Sequence, residues 1–116
     1  MKKEPHIPEG LEIGRITWSS DGEKYNTLGL VKITLQNNTD EDFSMVRYRV
    51  IVTAEEETIF SKVYFYNQIL FSGEVIELTV SELSGFWVGQ TINPAETEKR
   101  SWDLIVLIED SQPFVQ

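Results

Sequence analysis

The stretch LGLVKITLQNNTDEDFSMVRYRVIVT, residues 28–53, decides the fold class of this chain. Apolar and polar residues alternate in two runs, Leu28–Gln36 and Phe43–Thr53, which the polar segment Asn37–Asp42 separates. Because successive side chains of a β-strand point to opposite faces, each run predicts a strand that buries one face and exposes the other. The polar link of six residues favours a reversal of the chain. We therefore predict that the two runs form an antiparallel pair.

Further strands are predicted outward from this pair, since helical periodicity is poorly supported along the sequence. They cover Leu11–Trp18 with a break near Gly14, Thr58–Asn67, Glu74–Val80, Phe86–Ile92 and Ser101–Asp110. Turn residues such as Ser72-Gly73 separate them. Short strands of this kind predict an all-β fold, and we expect a single antiparallel β-sandwich of six to seven strands, immunoglobulin-like. A small barrel is the alternative.

The last predicted strand is apolar on both faces. One predicted face carries Trp102, Leu104, Val106 and Ile108, and the opposite face carries Ile105 and Leu107. Strands that bury both faces are typical of the centre of a covered sheet. The pattern therefore predicts a central strand, or one whose outer face is covered.

The length of 116 residues fits one domain with a core of its own. We predict an extended N-terminal arm over residues 1–10, the sandwich over residues 11–110, and a short C-terminal tail over residues 111–116. No apolar run is long enough for a signal peptide or a membrane span, so we expect no membrane insertion. The sequence is compatible with a cytoplasmic protein and also with the mature part of an exported protein.

The composition excludes several classes of function. The chain has no cysteine, one histidine (His6), and a formal net charge of −9. The absence of cysteine excludes a disulfide scaffold, a thiolate metal site and a cysteine nucleophile. The negative charge argues against a nucleic-acid partner. Because His6 is expected to be a solvated arm residue and no phosphate loop or nucleophile motif is present, we predict a protein that is not an enzyme and has no cofactor.

Two polar motifs fall in the link between the first pair of strands. Asp40-Glu41-Asp42 is either a fragment of a calcium site or a solvated turn, and we expect no metal there. Asn37-Asn38-Thr39 matches the pattern for N-glycosylation.

Aromatic residues provide the candidate contact surface. The long segment between the last two predicted strands is the kind of region that carries binding in a sandwich. Our candidate binding residues are Tyr64, Tyr66, Phe86, Trp87, Val88, Gln90 and Ile92. Exposed aromatic rings could anchor a protein interface or stack on sugars, whereas the competing interpretation of Tyr64 and Tyr66 is a place in the core.

Residues 28–80 resemble the bacterial immunoglobulin-like accessory domains called FxLYD. The similarity lies in the alternating strand that ends in Asn37-Asn38-Thr39, the second alternating strand after a short link, and Ser72-Gly73-Glu74 before the next strand. Ala54-Glu55-Glu56-Glu57 replaces the usual reversal of that family, and the Leu-Tyr-Asp triplet is absent. The resemblance implies a non-enzymatic domain in or attached to the cell envelope.

Three hypotheses of function follow. The first is a protein–protein interaction or accessory module, of a bacterial cell envelope if the resemblance holds, with an unidentified protein partner. The second is a carbohydrate-binding module with a glycan as ligand. The third is a small acidic inhibitor or immunity-type protein, whose charge would steer it to a basic enzyme.

Overall fold

A computed structural model describes residues 4–20, 28–54, 56–81 and 102–115 of the chain. Within these residues the structure is all-β and contains no helix. The strands are β1 (Leu11–Ser20), β2 (Leu28–Asn37), β3 (Phe43–Ala54), β4 (Glu57–Tyr66), β5 (Val75–Val80) and β6 (Trp102–Pro113). The strand predicted over Phe86–Ile92 lies outside the described residues.

The strands form two antiparallel sheets of three strands each, with the orders β1-β2-β5 and β4-β3-β6. The predicted pairing of the runs Leu28–Gln36 and Phe43–Thr53 is wrong, because β2 and β3 lie in different sheets. Alternation determines which face of a strand is buried, but it contains no information about the neighbouring strand. The polar link between the two runs therefore carries the chain from one sheet to the other.

Strand β6 lies at the end of its sheet in the described part of the chain, not at the centre as predicted. Its outward residues Ile105 and Leu107 are 37% and 49% exposed, so the outer face of this strand is not covered either. The central strand of this sheet is β3, which pairs with β4 on one side and with β6 on the other.

The two sheets pack against each other through the inward residues that alternation predicted on β2 and β3. Val31, Ile33 and Leu35 of β2 are fully buried. The larger cluster consists of Val31, Ile33, Tyr48, Val50, Val52, Val80 and Val106. The smaller cluster consists of Leu11, Leu35, Phe43, Val46 and Leu70. Both clusters contain residues of both sheets, and each buried aliphatic side chain contributes about 1.5–3 kcal/mol to folding.

The predicted break near Gly14 in β1 is confirmed. The register of β1 against β2 shifts between Ile13 and Ile16, as it does at a β-bulge. A Cβ at Gly14 would lie 2.3 Å from Nε2 of Gln36, so a larger residue would displace that side chain.

The turn predicted at Ser72-Gly73 is also confirmed. The carbonyl of Phe71 accepts a hydrogen bond of 3.0 Å from the N–H of Glu74, and Gly73 has a φ of 83°. A positive φ at the third position is typical of a type II turn, which glycine adopts without steric cost. The backbone of Asn37 holds this turn, since its N–H donates to Glu74 O (2.9 Å) and its carbonyl accepts from Gly73 N (2.7 Å).

The side chain of Asn37 links three parts of the chain and is completely buried. Its Nδ2 donates to the carbonyl oxygens of Glu41 (2.8 Å) and Leu70 (3.2 Å). Its Oδ1 accepts from the N–H (3.1 Å) and the hydroxyl (2.6 Å) of Thr39. A buried amide with donors and acceptor all satisfied stabilises the crossing between the sheets, and it would be costly to replace.

We expect Asn37→Asp to lower the free energy of unfolding by about 2–4 kcal/mol. The carboxylate keeps the shape of the amide, but it cannot donate to the carbonyls of Glu41 and Leu70. Urea denaturation of wild type and variant measures the difference, with Asn38→Asp as the matched control because Asn38 is exposed. Equal midpoints for the two variants would contradict the role assigned to Asn37.

Burial raises the pKa of Tyr48 above its ordinary value of 10.0. As the pH rises past that value, the unfolded chain loses the phenolic proton first, so the contribution of Tyr48 to stability is complete below pH 10 and declines above it. We expect Tyr48→Phe to lose less stability than wild type between about pH 9 and pH 11. Denaturant midpoints measured across this range test the point, and parallel curves for the two proteins would refute it.

Candidate interaction surface

Tyr64 and Tyr66 of β4 are partly buried and pack against the core clusters. The Tyr64 ring stacks on the ring of Tyr48, with centroids 5.6 Å apart and planes at 19°. The Lys62 ammonium lies 5.4 Å from the centre of the Tyr64 ring. These contacts agree with a place in the core, and a direct role of either tyrosine in binding stays a prediction.

The other candidate binding residues cannot be placed. Phe86, Trp87, Val88, Gln90 and Ile92 lie outside the described residues. Their role in binding also stays a prediction.

The solvent-facing side of the sheet β4-β3-β6 forms a continuous surface that we call the outer face. Directly opposed residues of neighbouring strands share a face, so the pairing registers determine its members. They are Arg47, Arg49, Ile51 and Thr53 of β3, Ser61, Val63 and Phe65 of β4, and Asp103, Ile105 and Leu107 of β6. Ile59 and Glu109 lie at register shifts and have no direct partner on β3, and alternation from Ser61 and Leu107 places them on the same face.

The outer face exposes large apolar side chains on both of its flanking strands. Phe65 and Ile59 of β4 are 55% and 37% exposed, and Leu107 and Ile105 of β6 are 49% and 37% exposed. Val63 and Ile51 lie among them and are partly buried. Single exposed apolar residues are ordinary, but several on one face of a small domain are typical of an interaction site.

A charged group occupies one end of this apolar surface. The Nε of Arg49 donates to Oε2 of Glu109 at 2.9 Å, and its Nη1 donates to the hydroxyl of Ser61 at 2.9 Å. The Nε of Arg47 lies 3.8 Å from Oε1 of the same glutamate, beyond hydrogen-bond distance. Two guanidinium groups therefore share one carboxylate, and Arg49 holds the better contact.

The solvent-facing side of the other sheet has a different character. Lys32, Thr34 and Gln36 of β2 point outward, and Lys32 lies 3.9 Å from Glu77 of β5. Among the side chains described on this face, Val75 of β5 is the exposed large apolar one, at 56%. Among the residues whose side chains the structure describes, polar residues predominate on this side and exposed apolar residues on the outer face, so the outer face is better suited to apolar contact.

The N-terminal arm contacts the fold through His6, whose side chain remains 42% exposed. The imidazole Nε2 lies 3.1 Å from Oε2 of Glu41, and the ring centre lies 6.2 Å from that of Phe43. The His6 backbone N–H donates to Oδ1 of Asp110 at 2.9 Å, and its carbonyl accepts from the hydroxyl of Ser111. These contacts fasten the arm to the end of β6.

The acidic segment Asp40-Glu41-Asp42 does not converge on one point. Glu41 contacts the His6 imidazole, and Oδ1 of Asp42 accepts from the N–H of Ser72 at 2.8 Å. Asp40 is exposed. Among residues 4–20, 28–54, 56–81 and 102–115, no group of three or more His, Cys, Asp or Glu side chains is arranged to hold a metal ion.

The glycosylation motif is blocked by the fold. Its acceptor would be Asn37, which is fully buried and whose amide nitrogen donates two hydrogen bonds. A glycan cannot be attached there without breaking the crossing between the sheets.

The sequence of β6 contains a signal for the outer face. Ile105 and Leu107 lie on the face of β6 opposite to its core residues. Because both faces are then apolar, the pattern predicts a central strand. On a strand at the end of a sheet, the same pattern indicates apolar residues facing solvent.

Comparisons with protein-family models, with curated proteins and with solved structures give no match to this chain. In the described part of the chain, no helix is long and apolar enough to cross a membrane. The assignment of the outer face as a candidate interaction surface therefore rests on the geometry of this chain alone.

Neighbouring residues of β6 offer a direct test of which side chains face solvent. We expect Leu107→Thr to change the free energy of unfolding by less than about 0.5 kcal/mol, because the side chain is half exposed. Val106 is 8% exposed in the larger cluster. There Val106→Thr should cost about 1–2 kcal/mol, since the hydroxyl is buried among apolar groups. Urea denaturation distinguishes the two, and a larger loss for Leu107→Thr would mean that the face is part of the core.

Proposed function

We propose that this chain is a non-enzymatic protein–protein interaction or accessory module with an immunoglobulin-like β-sandwich fold, and that it binds a protein partner through the outer face. The concentration of exposed apolar residues on that face carries the proposal. Such a patch is typical of protein contact sites.

The strand order supports the immunoglobulin-like type. In that fold one sheet places its second strand between the first and the fifth, and the third strand lies in the other sheet beside the sixth. Here β2 lies between β1 and β5, and β3 lies between β4 and β6. A fourth strand beside the third, as β4 is here, is also found in the variable type. The envelope location implied by the FxLYD resemblance is part of the same proposal.

The residue types of the outer face also suit a protein interface. Phenylalanine and arginine are enriched at interface centres, where water is excluded and a few residues supply most of the binding energy. Phe65 is paired with Arg47 across β4 and β3, and Leu107 is paired with Arg49 across β6 and β3. Each arginine thus has a large apolar neighbour, an arrangement that favours both apolar burial and directed hydrogen bonding.

The two alternatives have less support. A carbohydrate-binding module needs exposed aromatic rings, whereas Tyr64 is stacked on Tyr48 beside the core. The inhibitor hypothesis rests on the net charge of −9, but the outer face includes two arginines among its apolar residues.

Affinity capture from a lysate of the source cells tests the proposal. Purified wild type is compared with the double variant Phe65→Ser/Leu107→Ser, and with Val75→Ser as the matched control. Val75 is equally exposed but lies on the other sheet. We expect wild type and the control to retain the same partner at high salt, and the double variant to lose at least about tenfold of it.

Thermal unfolding must first show that all three proteins fold. If the double variant captures the partner as well as wild type does, or if the control loses it equally, the outer face is not the contact surface.

A further inference from the structure

The outer face carries an incompletely paired positive charge at one end. The Nε of Arg47 is buried, has no hydrogen-bond partner, and lies 3.8 Å from Glu109, which already binds Arg49 at 2.9 Å. The Arg47 side chain as a whole is 37% exposed. The buried Nε is closed to solvent, but the exposed part of this side chain allows the guanidinium to donate to a carboxylate from outside the molecule.

The opposite end of the outer face carries a negative charge. Asp103 of β6 is exposed and forms no ion pair with any residue of the described ranges. It is paired with Thr53 of β3, six residues along that strand from Arg47. At about 3.4 Å per residue, the two ends are roughly 20 Å apart. The exposed apolar residues Ile105 and Leu107 lie between them.

We infer that the outer face binds a second copy of this chain, with the two sheets packed face to face and Arg47 of each copy paired with Asp103 of the other. The inference rests on the proposed function and names the partner. Its basis is that the cation and the anion lie at opposite ends of one apolar surface.

A two-fold axis that lies between the two packed faces, runs across the strands and passes level with the point midway between Arg49 and Ile51 exchanges these two ends. Each Arg47 is then brought to the Asp103 end of the other copy, so the same pair forms twice. A two-fold interface uses the same surface on both subunits, so that surface must be self-complementary. Packed sheets keep their strand directions within about 30° of each other, which allows long contact between the two faces.

The charge of the outer face fits contact between two acidic molecules. The whole chain has a net charge of −9, but the outer face holds two arginines, Arg47 and Arg49, against two carboxylates, Asp103 and Glu109. Formal charges on the face therefore balance. At physiological ionic strength, repulsion between charges farther apart than about 8 Å is largely screened.

Sedimentation of the purified chain at micromolar concentrations in about 0.15 M salt tests the inference. We expect wild type to dimerise, and Arg47→Glu and Asp103→Arg each to weaken the dimer about a hundredfold, because one substitution alters both symmetric pairs. The matched control is Lys32→Glu, which changes the net charge as much as Arg47→Glu does but lies on the other sheet.

Mixing the two weakened variants, Arg47→Glu and Asp103→Arg, is the decisive step. In the mixed pair, the two substituted side chains face each other with opposite charges at one contact, and the native Arg47 and Asp103 meet at the other. We expect the mixture to form a heterodimer with close to wild-type affinity.

A monomeric wild type, a mixture that fails to associate, or an equal loss for Lys32→Glu would overturn the inference. The proposed function would survive a monomeric wild type if Phe65→Ser/Leu107→Ser still lost a captured partner.

Discussion

The buried amide of Asn37 is the constraint on which the arrangement of the two sheets depends. The chain leaves one sheet at the end of β2 and enters the other at the start of β3, and the carbonyl of Glu41 on that path accepts from the Asn37 amide. The same amide also donates to the carbonyl of Leu70, which accepts from the N–H of Phe43 as well, and the backbone of Asn37 holds the turn before β5. Since the chain has no cysteine, hydrogen bonds and apolar packing perform the task that a disulfide has in many small secreted domains.

The position of Asn37 explains why the outer face is exposed to solvent. The crossing places β3 at the centre of the second sheet, between two flanking strands. Its inward residues Tyr48, Val50 and Val52 join the larger cluster, which leaves Arg47, Arg49 and Ile51 on the solvent side. The core thus holds a rigid platform, and the features that suggest function lie on the side that the core does not use. A contact surface on paired strands is also better ordered than one on loops.

Periodicity predicted the strands and their buried faces, but it could not predict their partners. The inward residues of β2 and β3, the bulge at Gly14 and the turn at Ser72-Gly73 are local properties, so the sequence around each was sufficient. Strand pairing depends on contacts distant in sequence, above all those of Asn37 with Leu70 and Glu74. The candidate site was missed for the same reason, because the interpretation of Ile105 and Leu107 depends on whether β6 has neighbours on both sides. The docking of His6 on Asp110 is likewise a contact between the two ends of the chain.

An interaction module must avoid non-specific contact and must still associate with its partner. In this chain the two requirements fall on different parts of the surface, the acidic remainder and the charge-balanced outer face. Like charge spread over the rest of the surface keeps copies apart and limits non-specific contact. In the proposed dimer, the balance of arginine and carboxylate on the outer face removes that repulsion at short range, and only when the faces meet in one orientation. Apolar burial by Phe65 and Leu107 then favours association, whereas a mismatched approach would place like charges together at a cost of several kcal/mol. The specificity of the proposed dimer therefore depends on where the charges lie along β3 and β6, and its affinity depends on the apolar side chains between them.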